Sequence, residues 1–158
     1  MRYRFLDTGP LGLACRRPDR QDVRDIQLCV DVLWRYEGVT IVLPEIADYE
    51  LRRELIRIQA TDSLRRLDAL RGKVRFLEIN TKAMSRAAEL WAQARRTGLQ
   101  TADDESLDGD VILAAQALEF TGIGDDLVVI TDNNKHLGRF VTTSSWTAYS
   151  PTRAPGTN

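Results

Sequence analysis

Four short runs dense in β-branched, aliphatic and aromatic residues punctuate the chain: RYRFLDT from Arg2, VTIVLP from Val39, KVRFLEI from Lys73 and DLVVITD from Asp126. The segments between them carry helical spacing, so the chain alternates strand and helix. That alternation predicts an α/β fold of three layers, α/β/α, with a mostly parallel central sheet. VTIVLP is apolar enough for a strand covered on both faces. After the first run comes a loop or short helix, then an amphipathic helix expected from about Asp19, where Val23, Ile26, Val30 and Leu33 share a face and Gly38 stops it. EIADYELRRELIRIQA is helical, and TDSLRRLDALRG continues or restarts it with Thr61 or Asp62 as cap and Gly72 as stop. A further helix opens at Asn80 or Thr81 and closes at Gly98. LQTADDESLDG reads as a loop, followed by a buried helix from Asp110, and WTAYS as a short edge strand. Residues 1–150 are expected to form a single domain, with 151–158 a flexible tail.

Length and charge narrow the function classes. A chain of 158 residues that is 43% hydrophobic can bury a core of its own. A net charge of −1 neither predicts nor opposes nucleic-acid binding. Of the 22 basic residues, 19 are arginine, several in pairs such as Arg16/Arg17 and Arg52/Arg53. The planar guanidinium suits phosphate as well as carboxylate. Cys15 and Cys29 have no zinc-type or disulfide-type spacing, which fits a reduced, cytoplasmic protein, and no apolar run suggests export or a membrane span. No GxGxxG follows the first strand and no P-loop occurs. An aspartyl phosphatase needs a second aspartate two residues after the first, where this chain has Gly9. Serine-hydrolase chemistry would rest on the lone His136 without a nucleophile elbow.

Parallel sheets place their functional crevice beyond the carboxyl ends of the strands. Acids accumulate there from separate segments: Asp7 after the first strand, Glu45, Asp48 and Glu50 after the second, Asp108 and Asp110 before the fourth, and Asp132-Asn133-Asn134 after it. Helix capping explains one or two of these. A convergence of carboxylates is costly without a cation, and oxygen-only donors suit hard ions such as Mg²⁺ or Mn²⁺.

Taken together, FLDTGPL, LPEIADYELRREL, DVILAAQALEF and LVVITDNNKHLGRF resemble the PIN domain, the nuclease fold of VapC-type toxins, over about Tyr3 to Phe140. The resemblance implies a metal-dependent endoribonuclease using Mg²⁺ or Mn²⁺. It assigns Asp7 as the first acid with Thr8 beside it, Glu50 as the second, and Asp110 as the third. Glu45 and Asp48 compete with Glu50, although Glu45 and Glu50 lie about 140° apart on an ideal helix. Asp108 is left as a loop or supporting group. At the fourth position the family pattern of Thr, any residue, then Asp or Asn falls on Asn133, with Asp132 the neighbouring carboxylate. Implied partners are an RNA substrate, a small antitoxin and a second copy of the chain. Arg16, Arg17, Arg20, Arg52 and Arg53 are candidate contacts to the RNA backbone. The alternative is a weak or inactive PIN-fold module that binds RNA or protein.

Overall fold

The four runs and one further short strand pair into a five-stranded, all-parallel sheet of order β3-β2-β1-β4-β5. The computed structural model describes residues 1–36, 38–98 and 104–149. The strands are β1 (Arg2–Leu6), β2 (Val39–Pro44), β3 (Arg75–Leu77), β4 (Asp126–Ile130) and β5 (Thr143–Ser144). The helices are α1 (Thr8–Ala14), α2 (Gln21–Arg35), α3 (Glu45–Arg57), α4 (Thr61–Arg71), α5 (Thr81–Arg96), α6 (Asp104–Phe120) and α7 (Asn134–Leu137). α1 packs on α2 and α3, and α3 on α4, while α6 packs on α5 and α7; with the right-handed crossovers usual for parallel strands, these two groups fall on opposite faces of the sheet. The expected three-layer α/β/α architecture is therefore what forms.

β1 is the middle strand, and that position explains its residues. Arg2 to Phe5 pair with Val39 to Val42 on one side, and Arg2 to Leu6 with Asp126 to Ile130 on the other. Phe5, Val42, Leu43 and Val129 are fully buried. Phe120, closing α6, meets Tyr3 and Phe5 edge-on at ring separations of 5.2 and 6.1 Å. Such tilted pairs add to the gain from burial.

Several boundaries differ from the sequence reading, each for a local reason. α2 begins at Gln21 rather than near Asp19. Ala60, not Thr61 or Asp62, occupies the N-cap of α4, without a side-chain cap bond. Asn80 does cap α5, its side chain accepting from the Ala83 N–H at 2.8 Å. β3 holds only Arg75 to Leu77 of the expected seven-residue run. WTAYS is not a strand: Trp146–Tyr149 forms a 3₁₀ turn, and the edge strand is Thr143–Ser144, paired with Val129 and Ile130. α6 starts at Asp104, so Asp108 and Asp110 lie inside the helix instead of at its mouth. The start of the expected loop, 99–103, and the tail 151–158 lie outside the described residues.

One buried amide ties these layers together. α3 has Pro44 at its N-cap and no side-chain cap there. Gln116 of α6, 2% exposed, supplies one from a distance, its Oε1 accepting the Ile46 N–H at 3.3 Å. Its Nε2 donates to the Leu77 carbonyl at 2.8 Å, at the end of edge strand β3. Gln116→Leu keeps the volume but leaves two backbone groups unmet, so it should cost about 2–4 kcal/mol. Calorimetry should show melting lowered by roughly 5–10 °C; an unchanged melting temperature would mean those groups find other partners.

Candidate metal centre

The sheet order reverses between β1 and β4, since β2 and β3 lie to one side of β1 and β4 and β5 to the other. A reversal of this kind opens a crevice at the carboxyl ends of the two strands. Asp7 stands there as the N-cap of α1, with extended backbone at φ −77°, ψ 164°. Its Oδ1 accepts the Thr8 N–H at 2.8 Å, and its own N–H donates to the Ile130 carbonyl at 3.0 Å. Thr131, fully buried just past β4, donates its hydroxyl to Asp7 Oδ2 at 2.7 Å and accepts the Asn133 N–H at 2.8 Å. One threonine thus fixes the Asp7 carboxylate and the turn that carries Asp132 and Asn133.

Glu50 arrives from α3. Its Oε2 accepts the Thr8 hydroxyl at 2.7 Å. α6 brings Asp110, whose Oδ2 is buried without a hydrogen-bond partner. Burial, followed by the charges of Asp7 and Glu50, pushes the Asp110 carboxyl up to about 7. Burial also raises Asp7; the bonds from Thr131 and Thr8 oppose that shift, and the charge of Asp132 adds to it. Asp132 itself is exposed, with Oδ2 only 3.4 Å from where a Cβ on Gly9 would stand. Asp7, Thr8, Glu50 and Asp110 are therefore drawn into one locality, with Asp132 at its rim.

The competing acids have other work. Glu45 Oε2 accepts the Ile79 N–H at 2.6 Å, tying α3 to the segment after β3. Asp48, 4% exposed, forms a two-point pair with Arg52 at 2.8 and 3.0 Å, and Arg52 also reaches Asp68 at 2.8 Å. These bonds occupy Arg52, and Arg53 lies over the Tyr49 ring at 5.1 Å. Asp108 is exposed. Asn133 enters the arrangement through its backbone N–H. His136 sits on α7, its N–H donating to the Asn133 carbonyl at 3.3 Å. The sequence reading placed Thr131 only as the Thr of the family pattern, without a role, and did not single out Gly109. Thr131 had a signal, a hydroxyl residue at the end of a buried strand, and Gly109 had one as a glycine beside a candidate acid.

The donor set fits a hard divalent cation. It is all oxygen, and Asp110 Oδ2 is an acceptor that the protein leaves unmet. Among the described residues no group of three or more His, Cys, Asp or Glu side chains stands so that it could hold a metal ion as the side chains are placed. Asp7 and Glu50 are instead turned toward the Thr131 and Thr8 hydroxyls.

The raised Asp110 carboxyl has a defined pH signature. Between its ordinary 3.8 and about 7 the folded chain holds a proton that the unfolded chain has lost. The contribution of Asp110 to metal-free stability is thus greatest at the acidic end of that window and is lost as pH rises through about 7. Allowing for solvent screening, the loss is on the order of 1 kcal/mol, or about 3 °C in melting temperature. Melting curves of metal-free protein near pH 5 and near pH 8 should show Asp110→Asn gaining on the wild type as pH rises. A constant difference between the two would reject the shift.

No protein-family model matches the sequence and no curated protein does. Solved structures do match in fold. A chain of VapBC2 from Rickettsia felis, bound to a DNA fragment from their promoter, aligns at a TM-score of 0.67 and 17% identity, over 92% of this chain and 99% of that one. VapBC-1 from nontypeable Haemophilus influenzae aligns at 0.66 and 19% identity, over 93% and 99%. DNA-bound VapBC from Salmonella typhimurium aligns at 0.69 and 17% identity, over 92% and 99%. At such identities the likeness speaks for fold, and with the strand order and the motif positions it leads to one conclusion: the chain has the PIN-like fold, shared with chains of VapBC complexes.

Proposed function

We propose that the chain is a metal-dependent ribonuclease that hydrolyses RNA phosphodiester bonds, as the toxin of a toxin–antitoxin pair. The observation that carries this reading is the meeting of Asp7, Glu50 and Asp110 at the strand-order reversal, with Asp110 Oδ2 buried and unmet. These three acids would hold Mg²⁺ or Mn²⁺, with Asp132 or Asn133 completing the set. The cation, when bound, supplies a Lewis acid that polarises the phosphoryl group and favours deprotonation of the attacking water. Thr131 and Thr8 keep Asp7 and Glu50 oriented, as supporting hydrogen bonds do in metal sites. Asp110, its carboxyl pushed up to about 7, would have to lose any proton it carries in order to act as a ligand.

The arginines divide by geometry. Arg16, Arg17 and Arg20 line an open cleft of about 560 Å³ with Thr61 and Ser63. It lies past the end of α1, whose seven residues rise about 10 Å from Asp7. Arg17 and Arg20 rest on Asp62 and Asp22 in exposed pairs. Such pairs are weak, so a phosphate exchanges with them at little cost. The solved neighbours are VapBC complexes, two of them bound to DNA; by analogy a small antitoxin partner belongs to the proposal, and a homodimer is carried into it from the sequence resemblance alone.

Cleavage of a mixed-sequence single-stranded RNA pool, with Mg²⁺, Mn²⁺ or EDTA, tests the reading. Metal-dependent cleavage is expected, reduced roughly a hundredfold or more in Asp110→Asn. RNA binding without metal binding or cleavage would favour the inactive PIN-fold module instead. Separately, replacing Arg16, Arg17 and Arg20 with Gln should weaken RNA binding and flatten the log–log salt slope by about 2. The same change at Arg52 and Arg53 should leave the slope as it was, and equal effects from both sets would reject the division.

A further inference from the structure

We propose that Gly109 is a positioning residue for Glu50. The inference rests on the metal-centre reading above and adds to it a reason for glycine at this place in α6. Glycine inside a helix is unfavourable relative to alanine, so its presence asks for a cause. Backbone conformation is not that cause: the glycines with positive φ are Gly38, Gly98 and Gly124, and Gly109 is not among them. Space is. A Cβ at position 109 would stand 2.2 Å from Glu50 Oε1 and 3.3 Å from its Cδ. At Gly9, by contrast, the same atom would make ordinary contact with Asp132 at 3.4 Å.

The group in the way is the far end of a flexible side chain. A methyl at 109 therefore displaces the carboxylate of Glu50 before it disturbs the packing of α6 on α3. The displaced carboxylate loses the Thr8 hydroxyl, now 2.7 Å from Oε2. Thr8 thus holds one oxygen of Glu50, and the missing side chain of Gly109 makes room for the other, next to Asp110 in the chain. Alanine at 109 should lower metal affinity although neither Gly109 nor the new methyl touches the ion.

Calorimetric titration of metal-free protein with Mn²⁺ tests this in a two-by-two set: wild type, Gly109→Ala, Glu50→Ala and the double variant. Expected is an affinity about tenfold lower in Gly109→Ala, with no further loss when the same change is made on Glu50→Ala. In that second background the methyl has room, so the melting temperature should rise with helix propensity. Wild-type affinity in Gly109→Ala, or an equal loss in both backgrounds, would overturn the proposal. If the wild type binds no Mn²⁺, the metal-centre reading fails, and the Glu50 side-chain carboxyl ¹³C signal in metal-free protein decides the positioning alone. That signal should move in Gly109→Ala, and a signal left in place would overturn the inference.

Discussion

Asp7, Glu50 and Asp110 bring like charge into a poorly hydrated space at the end of the central strand, and their repulsion must be reduced before the sheet can close over them. The fold reduces it by three separate means. Thr131 and Thr8 donate hydroxyls to Asp7 and Glu50. α1 begins at Asp7, so the positive end of its backbone dipoles faces that carboxylate. Asp110, lacking a donor, responds by holding its proton, as its carboxyl at about 7 records. What remains uncompensated is charge of the sign and hardness that a divalent cation would neutralise.

The same economy governs the surrounding acids. A carboxylate that finds a donor elsewhere is withdrawn from the cluster. Glu45 accepts a backbone N–H beyond β3, and Asp48 is locked against Arg52. Removing Arg52 would strand a buried charge, so that pair is better read as structure than as recognition. The exposed arginines past α1 carry no such obligation, which sets them apart from Arg52.

How much was legible in the sequence depended on the range of the interaction that fixes each feature. Strands β2 and β4 were readable because burial on both faces forces a continuous apolar run, and β1, with arginines at positions 2 and 4, because it finishes on the buried pair Phe5 and Leu6. Asp7 was readable because it ends such a run. The choice between Glu45 and Glu50 was not settled by composition, since both are helix acids; the Ile79 N–H, 34 residues away, settles where Glu45 goes. WTAYS resembled a strand by content, yet β4 pairs with Thr143–Ser144 instead. α6 was expected at Asp110 because its apolar pattern starts there, while the polar turns before it are helical without that pattern. Gly109 escaped notice because its role is defined by an atom it lacks.

The bond from Thr131 to Asp7 spans 124 positions of the chain. β1 leaves the ribosome before β4 and completes its second ladder only after β4 has followed. No shorter piece of the chain ending before Thr131 contains the hydroxyl that aims Asp7. The architecture therefore delays the aiming of Asp7 until at least 124 further residues have been made.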